Sequence, residues 1–289
     1  MKVRKSALLS TIVAGALWGT SFPAIKIGLA FADPFVLVFL RMSLATVLVI
    51  LISYATNNLS VTFAKERLVW YLGLLNGFAY LIQYVGMEYT AASKSSLLVN
   101  LSVIWVAVLS WLALRESFSK KKTMGIFSGL VGIFLITTNL NLHELTQGSI
   151  MGDGLVFLSG ILWSFFILYN KRIVDTCSAF QFMPWLFLAT TLPLTLSIPF
   201  FSNFSSLILS AEAVLSVVYT AIFCWLVPYF LWAKGLKQFS PSSSAVILLT
   251  EVIVAIAISF FFLGESFTII SWVGAFLVSL AIILASVNQ

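Results

Sequence analysis

Hydrophobic residues in this chain fall into ten long stretches that are separated by short polar segments. We number these stretches spans 1–10, and their approximate bounds are 7–31, 35–56, 68–90, 95–114, 123–140, 152–172, 180–200, 213–234, 242–263 and 267–287. Each is close to the ~20 residues that an α-helix needs to cross the hydrocarbon core of a bilayer. The pattern predicts an all-α polytopic membrane protein with ten transmembrane helices and little chain left for soluble domains.

The second half of the chain repeats the first. The aligned pairs include Trp18 with Trp163, Tyr80 with Tyr229, and the segment LRESF at 114–118 with LGESF at 263–267. We predict two repeat units, 1–142 and 143–289. Because each unit holds five spans, an odd number, the second enters the membrane from the opposite side, which gives the inverted pair typical of secondary transporters.

Composition and charge agree with a membrane location. Of the residues 61% are hydrophobic and 9% are charged, with a mean hydropathy of +1.07, whereas soluble domains carry about 25% charged residues. With the N-terminus inside, the inner loops and termini hold 13 of the 16 Lys and Arg residues, and the outer loops hold Lys94. This bias predicts a multi-pass protein of the cell (inner or plasma) membrane with both termini cytoplasmic. The net charge of +6 thus reflects topology, and nucleic acid is not an expected partner.

The sequence offers little for catalysis, cofactors or metals. The single histidine, His143, has no second ligand or nucleophile nearby, so we expect neither a metal site nor a histidine-dependent active site. No Walker-type phosphate loop is present, so ATP is not the direct energy source within this chain. We therefore expect a protein that is not an enzyme and that uses no cofactor.

Three charged residues lie five or more residues from the ends of their spans, at a depth where an ionised group is costly. Glu251 is near the middle of span 9, where a charge costs about 2.5–3.5 kcal/mol on insertion scales unless it is paired or faces water. It is a candidate proton carrier or contact for a cationic substrate group; alternatively, it joins helices by hydrogen bonds. Arg41 in span 2 and Lys26 in span 1 either face a substrate or snorkel and pair structurally.

Polar and aromatic residues deep in the spans indicate a cavity. Asn76, Tyr80 and Tyr84 form a polar stripe on span 3, and Asn100 continues the polar surface on span 4. A Tyr hydroxyl or Trp indole N–H at such depth needs a partner, and aromatic walls with a few polar points are typical of small-molecule pockets. The predicted substrate-binding residues are Trp18, Lys26, Arg41, Asn76, Tyr80, Tyr84, Asn100, Trp163, Tyr229 and Glu251. Pro23 and Pro228 are candidate kinks in spans 1 and 8.

The 5+5 organisation, the segment ALWGTSF at 16–22 and the L-x-E-S-F endings of spans 4 and 9 resemble the EamA-type drug/metabolite transporter superfamily. The resemblance implies a central cavity between inverted halves, bounded mainly by helices 1–4 and 6–9, with helices 5 and 10 at the periphery. It also implies small substrates such as amino acids, their derivatives or organic cations, and export as a common direction. Glu251 occupies the family's Glu-Pro-like position, but Val252 replaces the proline.

Together these observations predict a secondary transporter that exports small metabolites such as amino acids by alternating access, with Glu251 coupling transport to protons. A lipid or lipid-linked-sugar flippase is the alternative, and it predicts a groove open laterally to lipid. The expected partners are a small-molecule substrate and the lipid bilayer, and the protein is expected to be a monomer or homodimer.

Overall fold

The computed structural model describes residues 2–90, 92–141, 149–202, 208, 210–263 and 268–287. The protein is 86% helix, and the described residues contain no strand. This confirms the predicted all-α class. His143 and residues 264–267, which carry the second copy of the repeated motif, lie outside the described residues.

The helices follow the apolar stretches closely. Their bounds are Lys2–Gly19 and Ser21–Leu29 in span 1, Pro34–Ala55 in span 2, Arg67–Glu88 in span 3, Ala92–Asn100 and Ser102–Leu114 in span 4, Lys120–Thr138 in span 5, Ile150–Val174 in span 6, Ala179–Phe201 in span 7, Ala211–Ala221 and Val227–Leu236 in span 8, Pro241–Leu248 and Thr250–Leu263 in span 9, and Ile269–Val287 in span 10. Within the described residues, and counting across the short interruptions, eight helical segments are long and apolar enough to cross a membrane, and Pro241–Ala255 is a shorter apolar segment. Ten spans in an inverted repeat stay a prediction.

Polar residues at the span boundaries explain where several helices begin. The side chains of Asp33, Ser119, Ser149 and Ser240 each accept a hydrogen bond from a backbone N–H in the first turn of the helix that they precede. Such caps satisfy N–H groups that have no partner within the helix. The four residues therefore fix the starts of spans 2, 5, 6 and 9.

Within the part of the chain that the structure describes, four spans are interrupted near their middles. The α-helix breaks at Thr20 in span 1, Leu101 in span 4 and Leu249 in span 9, and span 8 contains a π-helical turn at Ile222–Leu226. Pro23 and Pro228 come just after two of these interruptions, at the positions where kinks are predicted. Proline disturbs the preceding turn because its ring clashes with the carbonyl four residues earlier. Irregular backbone at this depth occurs where it is buried in protein or lines a cavity.

Glycines bring the interrupted spans into close contact. Spans 1 and 9 meet at Gly15 and Gly19, and a Cβ placed on Gly19 would collide with the backbone carbonyl of Glu251. Spans 5 and 10 pack against each other, while span 1 packs on spans 8 and 9, and span 6 packs on spans 3 and 4. The Gly19 contact therefore sets the distance between two helices at the level of Glu251.

We expect Gly19→Ala to destabilise the protein, because the added methyl group meets backbone atoms that cannot rotate away. Overpacking of this kind costs typically about 1–3 kcal/mol. Gly154→Ala in span 6 is the matched control, since nothing lies within 4 Å of its added Cβ. The thermal midpoint in detergent should fall for Gly19→Ala and stay equal or rise for Gly154→Ala. Equal midpoints for the two variants would show that spans 1 and 9 are not held this closely.

Candidate functional site

A central cavity lies between the spans at the level of their interruptions. Residues of spans 1, 2, 3, 4, 6, 8 and 9 line it. Its volume, taken as the space that the centre of a water molecule can occupy, is about 100 Å³. Its aromatic lining residues are Trp18, Phe22, Tyr80, Trp163, Phe166, Trp225 and Trp232, and its polar ones are Ser21, Arg41, Asn76, Gln83, Asn100, Ser102 and Glu251. Both halves of the sequence contribute to each set, so the cavity is built jointly.

Glu251 is the carboxylate of this cavity, and its side chain is held from span 4. Its Oε1 accepts a hydrogen bond from Asn100 Nδ2 at 3.0 Å, and the same amide donates to the carbonyl of Ser96 at 2.8 Å. Because the helix restarts at Thr250, Glu251 lies in a first helical turn, where the helix dipole favours negative charge. Glu251 is 9% exposed and forms no ion pair among the described residues.

Arg41 is the cation of the cavity and is held mainly by backbone oxygens. Its Nε donates to the carbonyl of Thr220 at 3.2 Å and its Nη2 to the carbonyl of Cys224 at 2.7 Å. Thr220 precedes the π-helical turn of span 8 and Cys224 lies within it. Nη1 donates to the hydroxyl of Tyr84, and the guanidinium carbon is 5.1 Å from the ring centroid of Tyr80. Arg41 is 1% exposed and, within the described chain, has no carboxylate partner.

Comparison of the sequence with protein families identifies the class of this protein. The EamA-like transporter family model matches residues 5–138 and again residues 150–287. The chain belongs to the EamA-like transporter family. It is therefore a membrane transporter by family, in agreement with the resemblance seen in the sequence.

Relatives of this EamA-like chain cover nearly its whole length. An uncharacterized transporter of Archaeoglobus fulgidus is 26% identical over 94% of each chain. The uncharacterized transporters YyaM and YoaV of Bacillus subtilis are 23% and 25% identical, over 93% and 94% of this chain and 89% and 93% of their own lengths. A solved crystal structure superposes with a TM-score of 0.79 at 17% identity, covering 97% of this chain and 96% of that chain, which shows the shared fold alone.

The EamA-like cavity contains polar atoms that have no hydrogen-bond partner. The indole N–H groups of Trp18 and Trp225 and the amide oxygen of Gln83 are buried without partners among the described residues. Trp163 differs, because its indole donates to Asn76 Oδ1 at 3.2 Å. Three residues that line the cavity therefore carry a buried polar atom without a partner, in addition to the two opposite charges of Glu251 and Arg41.

Seven of the ten predicted site residues line the cavity, and three lie beside it. Lys26 donates to the carbonyl of Met87, and Tyr84 binds the guanidinium of Arg41. Tyr229 is fully buried and donates to Asn170 Oδ1 at 2.7 Å. Each of these three side chains forms a hydrogen bond with another residue, and none of them is among the residues that line the cavity.

Sequence reasoning missed several lining residues, chiefly Gln83, Trp225, Trp232 and Phe166. Gln83 is seven residues after Asn76, so helical spacing places both on one face, and this signal was available. Trp225 lies on the π-helical turn and stacks on Phe187 with ring centroids 4.7 Å apart. Its orientation depends on that turn, which the sequence pattern does not predict.

Proposed function

We propose that this EamA-like protein is a secondary transporter that exports small metabolites such as amino acids by alternating access, with Glu251 carrying the coupling proton. The observation that carries the proposal is the central cavity, in which a carboxylate and a guanidinium are both buried and are not ion-paired with each other. Buried charges are normally paired, so a bound compound that supplies the missing partners would stabilise the occupied state.

The chemistry of the lining supports a compound with both an ammonium and a carboxylate group. Arg41 and the unpartnered indoles of Trp18 and Trp225 are donors, which suit a carboxylate. Glu251 and the Gln83 amide oxygen are acceptors, which suit an ammonium group. The remaining wall is largely aromatic, so it favours an apolar or aromatic side chain on the transported compound.

The helix contacts support alternating access between two halves. Span 1 packs on spans 8 and 9, span 6 packs on spans 3 and 4, and spans 5 and 10 pack on each other. These are the pairings expected if units 1–142 and 143–289 are related by an inverted two-fold axis. Two similar inverted halves can exchange conformations around a fixed site, which is how such repeats expose a cavity to each side in turn.

The proposal is tested by uptake of labelled amino acids into proteoliposomes that contain the purified protein. We expect flux above that of empty liposomes for amino acids with large apolar side chains, stimulated by a pH gradient. For each active compound, the amine that lacks its carboxylate and the acid that lacks its amino group should compete poorly. Competition by the amine alone would contradict a role for Arg41 in binding, and the absence of flux for every amino acid would contradict the substrate class.

A further inference from the structure

The end of span 4 carries an arginine in a backbone conformation that favours glycine. Arg115 comes directly after the last helical residue, Leu114, with φ 52°, in the left-handed region. Residues with a Cβ are strained there, whereas glycine is not, and glycine is the common residue just after a helix. At the aligned position of the second repeat the sequence has Gly264. The first repeat therefore has an arginine at the position where the second repeat has a glycine, which carries no side chain.

Arg115 directly follows the end of span 4 and lies beside exposed apolar residues. Trp111 and Leu112, in the last turn of span 4, are 61% and 62% exposed, which suits contact with lipid. Together with Arg115, Glu116, Ser117 and Phe118 they line a recess of about 560 Å³. Arg115 itself is exposed and forms no ion pair or side-chain hydrogen bond within the described chain.

Glu116, the acidic neighbour of Arg115, forms its hydrogen bonds with other residues. Glu116 Oε1 accepts hydrogen bonds from Lys122 Nζ and from Ser242 Oγ, at the start of span 9. Burial raises the pKa of Glu116, but the hydrogen bonds from Lys122, Ser240 and Ser242 outweigh it and lower the pKa below its usual value. Since its charge is balanced by Lys122, Glu116 does not neutralise Arg115.

We propose that the recess at residues 111–118 binds the phosphate of an anionic phospholipid, with Arg115 as its ligand and Trp111 and Leu112 against the acyl chains. Lys120 and Lys121, both exposed, add positive charge next to the recess. A guanidinium binds phosphate through parallel hydrogen bonds, and an indole ring suits the boundary between head groups and acyl chains. Anionic lipid thus gives the strained arginine the partner that the protein does not supply.

The test compares lipid binding by the whole protein in detergent, measured by native mass spectrometry and by the thermal midpoint. We expect phosphatidylglycerol to bind and stabilise the protein more than phosphatidylcholine. In Arg115→Gly its binding should weaken about fivefold, the factor for one basic residue near a membrane surface. The same variant should be as stable as wild type or more stable without lipid, because the backbone strain is relieved. Arg115→Asn, which tolerates this conformation, should lose lipid binding in the same way.

Asn57→Gly is the matched control. Asn57 is also exposed and left-handed, with φ 53°, near the end of span 2. This variant should keep the full response to phosphatidylglycerol. Equal binding of the two lipids by the wild type, or an unchanged response in Arg115→Gly, would overturn the proposal. Stabilisation by soluble glycerophosphate equal to that by the lipid would also overturn it, since the site would then take a free phosphate.

Discussion

Replacement of Glu251 by Gln is expected to abolish transport driven by a proton gradient while leaving exchange of substrate across the membrane. Glutamine has nearly the same shape and keeps an oxygen that can accept the hydrogen bond from Asn100 Nδ2. It cannot take up or release a proton, so an energy-coupled step that uses Glu251 stops. Accumulation against a gradient in proteoliposomes should fall to the level of empty liposomes, whereas counterflow of labelled substrate should continue.

Glu88→Gln is the control for this change. Glu88 is an exposed carboxylate at the end of span 3 and does not line the cavity. Its replacement should leave both accumulation and counterflow intact. Loss of counterflow together with accumulation in Glu251→Gln would show that substrate binding needs the charge of Glu251 and not only an acceptor oxygen. Unchanged gradient-driven accumulation would remove Glu251 from the coupling mechanism and would leave the cavity as a binding site.

Much of the cavity could be predicted from the sequence because polar groups deep in a membrane span need partners. Trp18 and Trp163 stand at matched repeat positions, and both line the cavity. Asn76 also lies there and accepts the hydrogen bond of the Trp163 indole. Glu251 was noticeable as a carboxylate in an apolar stretch. In each case a single polar, charged or indole-bearing residue within an apolar stretch was a sufficient signal.

The rest depended on the contacts of individual side chains, which apolar patterning does not reveal. Tyr80 and Tyr229 are matched in the repeat, yet Tyr80 lines the cavity and Tyr229 is packed against Asn170. The helix Arg67–Glu88 is continuous, whereas span 8 contains the π-helical turn Ile222–Leu226. The hydroxyl of Tyr229 donates to Asn170 Oδ1, a contact within the second repeat unit that the repeat pattern does not predict.

Arg41 is the residue that stabilises this turn, and its removal is the largest stability change we expect. Its guanidinium donates to the carbonyls of Thr220 and Cys224 and to the hydroxyl of Tyr84. A π-helical turn interrupts the regular hydrogen bonding of the helix, so nearby carbonyls need other donors. Each buried acceptor left without a partner costs roughly 1–3 kcal/mol. Arg41→Met should therefore lower the thermal midpoint strongly in the absence of substrate, and Arg41→Lys less.

Lys26→Met is the comparison that separates support of the turn from loss of another half-buried or buried cation within a span. Lys26 donates to one carbonyl, that of Met87, so its replacement leaves one acceptor unpaired and should lower the midpoint less than Arg41→Met. Trp225 reports on the turn itself, because it lies within it and stacks on Phe187. In a background that keeps Trp225 as the sole tryptophan, its fluorescence should shift in Arg41→Met and not in Lys26→Met. If Arg41→Met keeps the wild-type midpoint and weakens only substrate binding, the guanidinium binds the substrate and is not needed to stabilise the π-helical turn.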